Sequence, residues 1–417
     1  MAYRLRYKWE LMLILAMAYF LNQGDRQIYN AVLPLIKADL QVSDVQLGLV
    51  TTTFTLLFGV LVLLAGFVGD FVSKKWLVCL SLLIFSMGTL FTGFSSGLLM
   101  LIVFRSIATG AGEAFYYPPA IALIGQYHLD TRSQAMAINQ TALYVGTVMC
   151  SYAAAVVGER YGWRAPFLVF GIAGILLAAM AALRLRNDQR DAGLMQPASQ
   201  PLKLGEVLRP ILRTPTFYFL SLALGGTQFV FFGWMTWTPT YLYEKFHLPL
   251  RDAALYAVLY HYGFAFLGVM LGARISDRLA SRRRTIRLEV EILGLLCAAP
   301  FIWLLGASSK LTVVYVALGG FGFFRGFFDA NNAAALFDVI PQRYRSSAAG
   351  LMVSCGYMMS AISPMLMGYI KQHASLGSGL SLLAFGYLFS AAMIFVALKW
   401  FFMKDYFQES ASSPVQR

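Results

Sequence analysis

Ionisable side chains inside long apolar runs are the feature that most constrains this chain. Five such residues lie far from the ends of their runs: Asp25, Arg26, Glu113, Arg325 and Asp329. An ionisable group at the centre of a bilayer costs about 3 kcal/mol or more unless it faces a partner or a hydrated space. Both signs of charge at this depth, in several segments, predict a path for a polar solute through a membrane.

The composition places the chain in a membrane before any motif is considered. Hydrophobic residues make up 59% and charged residues only 13%, roughly half the charge of an ordinary soluble domain. A hydrocarbon core of about 30 Å needs ~20 helical residues, and apolar runs of that order are found at 11–33, 46–69, 76–94, 98–125, 134–157, 165–183, 215–238, 253–273, 287–306, 312–338, 346–370 and 379–402. Strands of a membrane barrel would alternate over ~10 residues. We therefore expect an all-α integral membrane protein with twelve transmembrane helices.

The net charge of +13 is explained by where the basic residues lie. With the N-terminus inside, most Lys and Arg residues fall on the cytoplasmic side, which is the positive-inside bias. Arg282, Arg283 and Arg284 are then an anchor beside anionic membrane lipid. Nucleic-acid binding is not expected, because no soluble domain is present to carry it. We expect a monomer in the cell membrane (inner or plasma membrane), with both termini cytoplasmic.

The start of the chain and its cysteines add two further expectations. Residues 1–10 are basic and lead directly into a run too long for the apolar region of a signal peptide, so no cleaved signal is expected. Cys79, Cys150, Cys297 and Cys355 all fall within predicted spans, with no CxxC or Cys/His cluster. This pattern favours neither disulfides, nor a metal site, nor a bound cofactor.

The chain divides into two parts of six runs each. A polar, basic stretch at 184–214 separates them, and we interpret it as a cytoplasmic linker. The predicted domains are an N-terminal six-helix bundle, 1–183, and a C-terminal six-helix bundle, 215–405. The polar tail, 406–417, is expected to be disordered.

The loops at the ends of matching runs repeat between the halves. Asp70 after the second run corresponds to Asp277 after the eighth, and Arg132 after the fourth corresponds to Arg345 after the tenth. The near-constant spacing of these pairs indicates a duplicated six-span unit. In transporters built from such repeats, the substrate binds near the midplane between the halves, and the halves rock about it.

Basic residues accompany the acidic residues of these loops. An Asp at a helix end can be held by the N-terminus of a neighbouring helix and by basic side chains, so such contacts can form and break as the halves move. One copy alone would fit an ordinary topology signal, but two copies in matched positions favour a gate. The predicted gating residues are Asp70, Lys75, Arg132, Asp277, Arg278 and Arg345.

These loops resemble the signature of the major facilitator superfamily, Gly-x-x-x-Asp-Arg/Lys-x-Gly-x-Arg/Lys-Arg/Lys, which follows spans two and eight. The matching positions are Gly66, Asp70 and Lys75 in the first copy and Asp277, Arg278, Arg282 and Arg283 in the second. The departures are Phe71, where a basic residue is usual, and Ala273, in place of glycine. The resemblance covers essentially the whole chain. It implies two pseudo-symmetric bundles that transport by alternating access.

Four segments resemble a narrower group, the anion:cation symporter family, which includes sugar-acid and hexuronate carriers. Residues 22–26, Asn-Gln-Gly-Asp-Arg, look like that family's Asn-Tyr-x-Asp-Arg in span one. Residues 110–118 look like its Gly-x-x-Glu-Ala-x-x-x-Pro in span four. Residues 162–167 and 237–242 look like its entries into spans six and seven.

This narrower resemblance implies proton-coupled symport of a small organic anion such as a sugar acid. In that family the residues equivalent to Asp25 and Glu113 carry the coupling proton, and the residue equivalent to Arg26 contacts the anion. The motifs do not separate coupling to protons from coupling to Na+.

The spinster carriers of lysolipids and sphingolipids are the alternative resemblance. They also share Asp-Arg in span one and Gly-Glu-Ala in span four, so these motifs do not separate the two families. The antiporter motif of span five is absent, because Gly146 and Gly158 stand without a following proline. This absence favours symport.

Arg26 and Glu113 lie at similar depths and are expected to approach each other across a central cavity. Asp25 and Arg26 are adjacent and point ~100° apart on a helix, so one should face the cavity and the other a neighbouring helix. Burial disfavours an ionised carboxylate whereas a guanidinium favours it. Protonation of Glu113 would therefore free Arg26 to bind an anion. The alternative is a permanent buried ion pair that only joins two helices.

Arg325 and Asp329 are spaced i, i+4 and share a helix face. They are interpreted either as a second anion contact or as a self-satisfied pair inside the tenth span. Arginine matches a carboxylate or phosphate with two parallel hydrogen bonds, whereas lysine is a point charge, so the presence of only arginine at depth suits a carboxylate. Arg105 either attracts anions, pairs with Asp25 or anchors the outer interface.

Polar side chains inside spans usually face other helices or water, and several would be needed to bind a polyol. Besides the arginines, the candidates for substrate binding are Tyr29, Tyr117, Asn139, Tyr144, Gln228, Trp234, Asp329, Asn331, Asn332 and Tyr357. Pro118 and Pro119 are expected to kink or break the fourth span just past Glu113. His261, alone among aromatic residues, is expected to be a packing residue.

Functions other than transport find little support. Residues 93–97 match GxSxG, but they lie in a short loop rather than in the strand–turn–helix setting that this motif needs. No HExxH, P-loop or dinucleotide fingerprint occurs, so the chain is not expected to be an enzyme. The duplicated loops argue against a passive channel.

Overall fold

The computed structural model describes residues 2–128, 130–186, 204–280 and 282–406. Helices account for nearly all of this part of the chain. Within it, some side chains are not described, including those at positions 70 and 132.

Six helical segments form each half, and together they match the twelve predicted runs. Spans 1 to 6 are Ala2–Leu40, Asp44–Phe71, Lys74–Thr92, Leu98–Tyr127, Arg132–Tyr161 and Arg164–Arg184. Spans 7 to 12 are Pro215–Phe246, Leu250–Ala280, Ile286–Ala307, Leu311–Val339, Gln342–His373 and Leu376–Asp405. Eleven of them are long and apolar enough to cross a membrane, and the other is span 1, where the polar residues 22–27 lower the mean hydropathy. The expected all-α membrane fold is confirmed.

The predicted linker, 184–214, is partly described. It contains a short helix, Leu204–Leu212, that the sequence analysis does not anticipate. Residues 187–203 lie outside the described residues, and so does the predicted tail beyond Tyr406. The predicted domain boundaries stay a prediction.

Successive spans alternate in direction, so the loops between them lie alternately at the two ends of the molecule. We call the end that carries the linker the linker end, and the other the opposite end. Span 2 begins at the opposite end, where the Ser43 hydroxyl accepts a hydrogen bond from the Gln46 N–H and the Gln46 side chain accepts one from the Ser43 N–H. This capping box satisfies two N–H groups that the start of a helix leaves free.

Span 4 is not one continuous α-helix. It passes through a π-helix, Ile102–Ala108, a short helix, Thr109–Ala114, and a turn before its last helix, Tyr117–Tyr127. Two consecutive prolines open this last helix, because proline has no N–H to donate and suits a first turn. The break predicted just past Glu113 is confirmed.

Spans 8 and 10 pack with almost no side chain between them. A Cβ atom on Gly268 would collide with the Phe323 carbonyl, and one on Gly326 would collide with backbone atoms of span 8. Backbone atoms cannot rotate away as a flexible side chain can. The structure therefore places these glycines at a close helix–helix contact, as small residues spaced by four favour.

We expect Gly268→Ala to lower the free energy of unfolding by about 1–3 kcal/mol, because overpacking at this contact forces the two spans apart. The measurement is the unfolding temperature of the purified protein in detergent. Gly263→Ala in the same span is the control, since a Cβ atom there meets open space and alanine is favoured over glycine in a helix by up to about 1 kcal/mol. Equal effects of the two changes would contradict the prediction.

Candidate functional site

Arg26 of span 1 and Glu113 of span 4 form an ion pair inside the first half. The Arg26 Nε donates to Glu113 Oε2 at 2.6 Å, and the side chains are 17% and 0% exposed, respectively. The second carboxylate oxygen of Glu113 is buried and accepts no hydrogen bond from the described part of the chain. The pair therefore joins a carboxylate in the dry interior to a guanidinium that stays partly accessible.

Asp25 points away from Arg26, as their separation of ~100° around the helix requires. Asp25 is buried, accepts a hydrogen bond from the Thr89 hydroxyl of span 3 at 2.6 Å, and lies with its other oxygen 3.7 Å from the Arg105 Nη1. Its carboxyl group also lies close enough to Glu113 to interact with it directly. Of the expectations for Arg105, pairing with Asp25 is the one that the structure shows.

Aromatic rings enclose both guanidinium groups. The Arg26 Cζ lies 4.6 Å from the ring centre of Phe58 and 5.5 Å from that of Phe54. The Arg105 Cζ lies 4.8 Å from Phe54 and 5.7 Å from Tyr29. A guanidinium stacks on aromatic faces because its charge is spread and weakly hydrated. The rings hold the two cations in place, and the two carboxylates balance their charge.

Arg325 of span 10 is the buried cation of the second half. Its Nε donates to Asp329 at 3.2 Å and its Nη2 to Gln228 of span 7 at 3.4 Å, and the Phe231 ring centre lies 4.7 Å from its Cζ. Its Nη1 is buried without a partner among the residues described, and the Asp329 side chain is 40% exposed. The predicted i, i+4 pair therefore exists, but it leaves a donor of Arg325 unused.

Tyrosines connect these two groups of charges across the space between the halves. Tyr357 of span 11 interacts with the Arg26 guanidinium. Tyr262 of span 8 lies 5.7 Å, ring centre to ring centre, from Tyr144 of span 5 and is within electrostatic range of both Arg26 and Arg325. Charges from both halves thus lie within electrostatic range of the same tyrosine.

Two residues predicted to bind substrate are engaged in backbone contacts. The Tyr29 hydroxyl is buried and donates to the Leu47 carbonyl of span 2 at 2.9 Å. The Asn331 side chain donates to the Phe327 carbonyl at 2.9 Å. These contacts hold the two side chains inside the bundles, and their role in binding stays a prediction.

The other residues predicted to bind substrate differ in their burial and in their hydrogen bonds. Trp234 is fully buried and its ring centre lies 4.2 Å from that of His261, the packing role expected for this histidine. Tyr117 is exposed. Asn139 and Asn332 each have a buried side-chain oxygen that accepts no hydrogen bond within the described ranges. Their role in binding stays a prediction.

The predicted gate at the linker end is only partly visible. Asp277 and Arg278 are exposed, and neither forms an ion pair with another described side chain. The side chains of Asp70 and Arg132 lie outside the described residues. The gate therefore stays a prediction.

The remaining two gating residues contact their own halves. The Arg345 Nε donates to the Ile340 carbonyl, five residues earlier, at 3.2 Å. The Lys75 ammonium lies 4.9 Å from the ring centre of its neighbour Trp76. Neither contact crosses between the halves, as expected if this end is not closed.

An ionic network that the sequence analysis does not anticipate closes the opposite end. Asp44 of span 2 pairs with Lys37 of span 1 at 2.6 Å and with Lys371 of span 11 at 3.1 Å. Lys371 also pairs with Glu244 of span 7 at 2.7 Å and lies 5.3 Å from the Trp237 ring centre. The network joins the halves, because Asp44 belongs to the first and Lys371 to the second.

Hydrogen bonds to backbone groups join the halves at the same end. The Ser151 hydroxyl of span 5 donates to the Ala254 carbonyl of span 8 at 3.0 Å. The Arg251 N–H donates to the Glu159 carboxylate at 3.2 Å. Spans 5 and 8 are therefore in direct contact where they reach the opposite end.

Two ion pairs between described side chains at the linker end each stay within one half. Arg184 pairs with Glu10 at 2.5 Å in the first half, and Arg287 pairs with Asp338 at 2.6 Å in the second. Among the described side chains, polar contacts therefore join the halves at the opposite end, whereas the ion pairs seen at the linker end do not. This is the pattern expected of a carrier open at the linker end.

A cavity elsewhere in the molecule is not part of this region. It has a volume of about 680 Å³ and lies at the opposite end of the second half, between Tyr241, Lys245, Trp303 and Ser381. It contains none of the buried charges described above. In the described part of the chain, no group of three His, Cys, Asp or Glu side chains is arranged to hold a metal ion.

Comparisons with known proteins agree with this fold. The chain is 26% identical over 379 residues to a probable sulfoacetate transporter of Cupriavidus necator, with 86% of each protein covered. It is 28% identical over 384 residues to human spinster homolog 1, covering 86% of this chain and 72% of that protein. A bacterial homologue of the human lysosomal transporter spinster, solved in an inward-facing and unoccupied conformation, superposes with a TM-score of 0.85 at 21% identity, covering 97% of this chain and 99% of that one. The model of the Major Facilitator Superfamily matches residues 15–364, and the chain therefore belongs to the major facilitator superfamily.

Proposed function

We propose that this transporter moves a small organic anion, a carboxylate such as a sugar acid, together with protons by alternating access. Membership of the superfamily makes the chain a transporter and not an enzyme. The observation that carries the finer proposal is the Arg26–Glu113 pair, in which a partly accessible guanidinium is held by a carboxylate that is completely buried. An anion that displaced this carboxylate from Arg26 would require the carboxylate to be neutralised.

Protonation of Glu113 is the step that releases Arg26. A proton cancels the charge of the carboxylate, so the guanidinium keeps an uncompensated charge in a region of low dielectric constant. A carboxylate substrate restores neutrality by accepting two parallel hydrogen bonds from Arg26. Asp25, held by Thr89 and Arg105, can share the proton with Glu113, since adjacent carboxyl groups titrate as a pair. Proton and anion are then bound together or not at all.

Arg325 supports the same proposal from the second half. It has a buried donor without a partner in the described chain, and its contact with the exposed Asp329 is long. Positive charge from both halves draws them together on an anion placed between them. Substrate binding thus favours closure.

We place the linker end in the cytoplasm, because basic residues concentrate there. In this orientation both termini are cytoplasmic, and the conformation described is the one open to the cytoplasm. It follows the release of substrate into the cell during uptake. Breaking the Asp44–Lys371 contact would then begin the return to the outside.

Uptake by proteoliposomes tests the proposal. The probes are radiolabelled gluconate, galacturonate, glucarate and sulfoacetate, each offered with an acid-outside pH gradient, with a Na+ gradient, and with neither. We expect uptake of at least one anion to follow the pH gradient and to fall to background with a protonophore. Proton coupling would be contradicted if the uptake of every probe were independent of the pH gradient. Uptake that responded only to the Na+ gradient would indicate that Na+, and not the proton, is the coupling ion.

A spinster-like carrier of lysolipids is the second candidate. It is favoured by the 28% identity with human spinster homolog 1 and by the shared motifs of spans one and four. A thermal-shift comparison of the purified protein with lysophosphatidylcholine and with the four anions separates the candidates. A higher unfolding temperature with the lysolipid, and no change with any of the four anions, would favour lysolipid transport over anion transport.

A further inference from the structure

A buried carboxyl group in the second half takes no part in the site described above. Glu291 of span 9 is 0% exposed, and neither of its carboxyl oxygens has a hydrogen-bond partner among the described residues. An ionised carboxylate in such surroundings costs about 3 kcal/mol or more unless it is paired or holds a cation. Glu291 therefore needs a positive partner that the described side chains do not supply.

The register of spans 9 and 10 shows which polar side chain lies near Glu291. These spans are antiparallel, and Arg287 of span 9 pairs with Asp338 of span 10 at 2.6 Å. Closer to Glu291, Gly294 of span 9 packs against Phe327 of span 10. From this contact, Glu291 and Asn331 each lie about one turn toward the linker end, so they are at the same level. Asn331 is buried, and its side-chain N–H already donates to the Phe327 carbonyl. Its oxygen is the part of the amide left to act as a ligand.

Span 8 brings a third polar group to the same level. Gly272 packs against Phe327 of span 10, and one further turn along these parallel spans places Ser276 beside Asn331. The Ser276 hydroxyl is buried and has no hydrogen-bond partner in the described part of the chain. The register of the three spans therefore brings the polar side chains of Ser276 and Asn331 to the level of Glu291.

The charged group that acts on Glu291 from span 10 is negative. The Asp329 carboxylate is within electrostatic range of it, and Asp338 is balanced by Arg287. A negative charge beside a buried carboxyl group disfavours its ionised form further, so binding of a cation or a proton becomes more favourable.

Spans 8 and 12 add no cation at this level. The ionisable residues within 274–278 of span 8 are exposed. On span 12, Gly377 lies against Gly306 of span 9, and counting inward from this contact brings residues 391–394 to the level of Glu291. None of these four residues is titratable.

We propose that Glu291, with the Ser276 hydroxyl and the Asn331 side-chain oxygen, forms a second cation-binding site, occupied by a proton or by Na+. A proton neutralises the carboxyl group directly, and Na+ would take the oxygen ligands that hard cations prefer. The site lies in the other half of the molecule from Asp25 and Glu113. Its part in coupling rests on the proposed function, whereas cation binding itself does not.

The unfolding temperature of the full-length protein in detergent tests this proposal. Glu291→Gln removes the ionisable group and keeps its shape, and the control is Glu289→Gln, which changes a partly exposed carboxylate paired with Arg283. In Na+-free buffer we expect a change from mildly acid to alkaline pH to lower the unfolding temperature of the wild type and of Glu289→Gln by at least ~3 °C more than that of Glu291→Gln. The reason is that only the first two proteins lose a proton ligand at this site.

Addition of Na+ at alkaline pH identifies the occupant. Recovery of the wild type but not of Glu291→Gln assigns Na+ to the site, and the absence of recovery assigns the proton. Equal responses of all three proteins to pH and to Na+ would overturn the proposal. If Glu291→Gln does not fold, Glu291→Met replaces it, and failure of both neutral variants would also overturn the proposal, because the carboxylate would then have a fixed partner. Any of these negative results leaves proton-driven uptake through Glu113 untouched.

Discussion

Glu113→Gln is expected to abolish proton-driven accumulation of substrate while exchange of substrate across the membrane continues. Glutamine keeps the shape of the side chain and an oxygen for Arg26, but it cannot release a proton, so the carrier is held in the equivalent of its protonated form. The initial rate of gradient-driven uptake should fall by roughly 100-fold or more, the scale seen when an obligatory proton-transfer group is removed. Proteoliposomes with a pH gradient measure accumulation, and proteoliposomes preloaded with unlabelled substrate measure exchange.

Two further variants separate coupling from folding and from binding. Glu10→Gln makes the same carboxyl-to-amide change at a surface pair with Arg184 and should retain both activities. Arg26→Lys keeps the charge but loses the planar guanidinium that donates two parallel hydrogen bonds to a carboxylate, so it should lose accumulation and exchange together. Retention of gradient-driven uptake by Glu113→Gln would show that the coupling proton binds elsewhere.

Lys371→Met is expected to shift the protein toward the conformation that is open at the opposite end. The Lys371 side chain is only 10% exposed, and its ammonium pairs with Asp44 across the boundary between the halves. Its removal leaves Asp44 with Lys37 alone, and the loss of one partner from such a sheltered pair should cost the sealed state about 2 kcal/mol, or roughly a 30-fold change in population.

Distances between spin labels at positions 161 and 374 measure this shift. Both positions are exposed at the opposite end, one in each half, and the labels would be attached in a background from which the four cysteines have been removed. The control is Arg164→Gln, which breaks a pair with Asp39 at the same end but within the first half. We expect a longer distance in Lys371→Met and an unchanged one in Arg164→Gln. Identical distance distributions in the two variants would contradict an ionic seal.

The membrane architecture could be predicted because its signal is local. Each apolar run reports its own span, so twelve runs were enough to give the number and order of the helices. Helix ends were less accessible to prediction: run 11–33 lies within the longer helix Ala2–Leu40, because the polar ends of a span leave the hydrocarbon and carry no hydropathy signal. The π-helix Ile102–Ala108 was not predicted, because a hydropathy pattern carries no information on whether a backbone N–H bonds to the carbonyl four or five residues earlier.

The candidate site was predictable only where charge lies inside an apolar run. Arg26 and Glu113 were recognised in this way, because a lone charge at that depth is costly and a partner at matching depth relieves the cost. Asp44 and Lys371 lie at polar span ends, where charged residues are ordinary, and their pairing depends on how the halves approach each other. Glu291 lies inside a predicted run and the same criterion applies to it, but its place near the start of that run resembles an interfacial position.

The interruptions of the fourth span place Glu113 on a short helix that is separate from the rest of the span. The six residues Thr109–Ala114 that carry it lie between a π-helix and a turn, so irregular backbone hydrogen bonding separates them from the regular helices on either side. A segment bounded in this way can rotate or shift slightly while the rest of its bundle stays still. Binding of a proton at Glu113 can therefore be faster than the rotation of one bundle against the other, because it does not require that rotation.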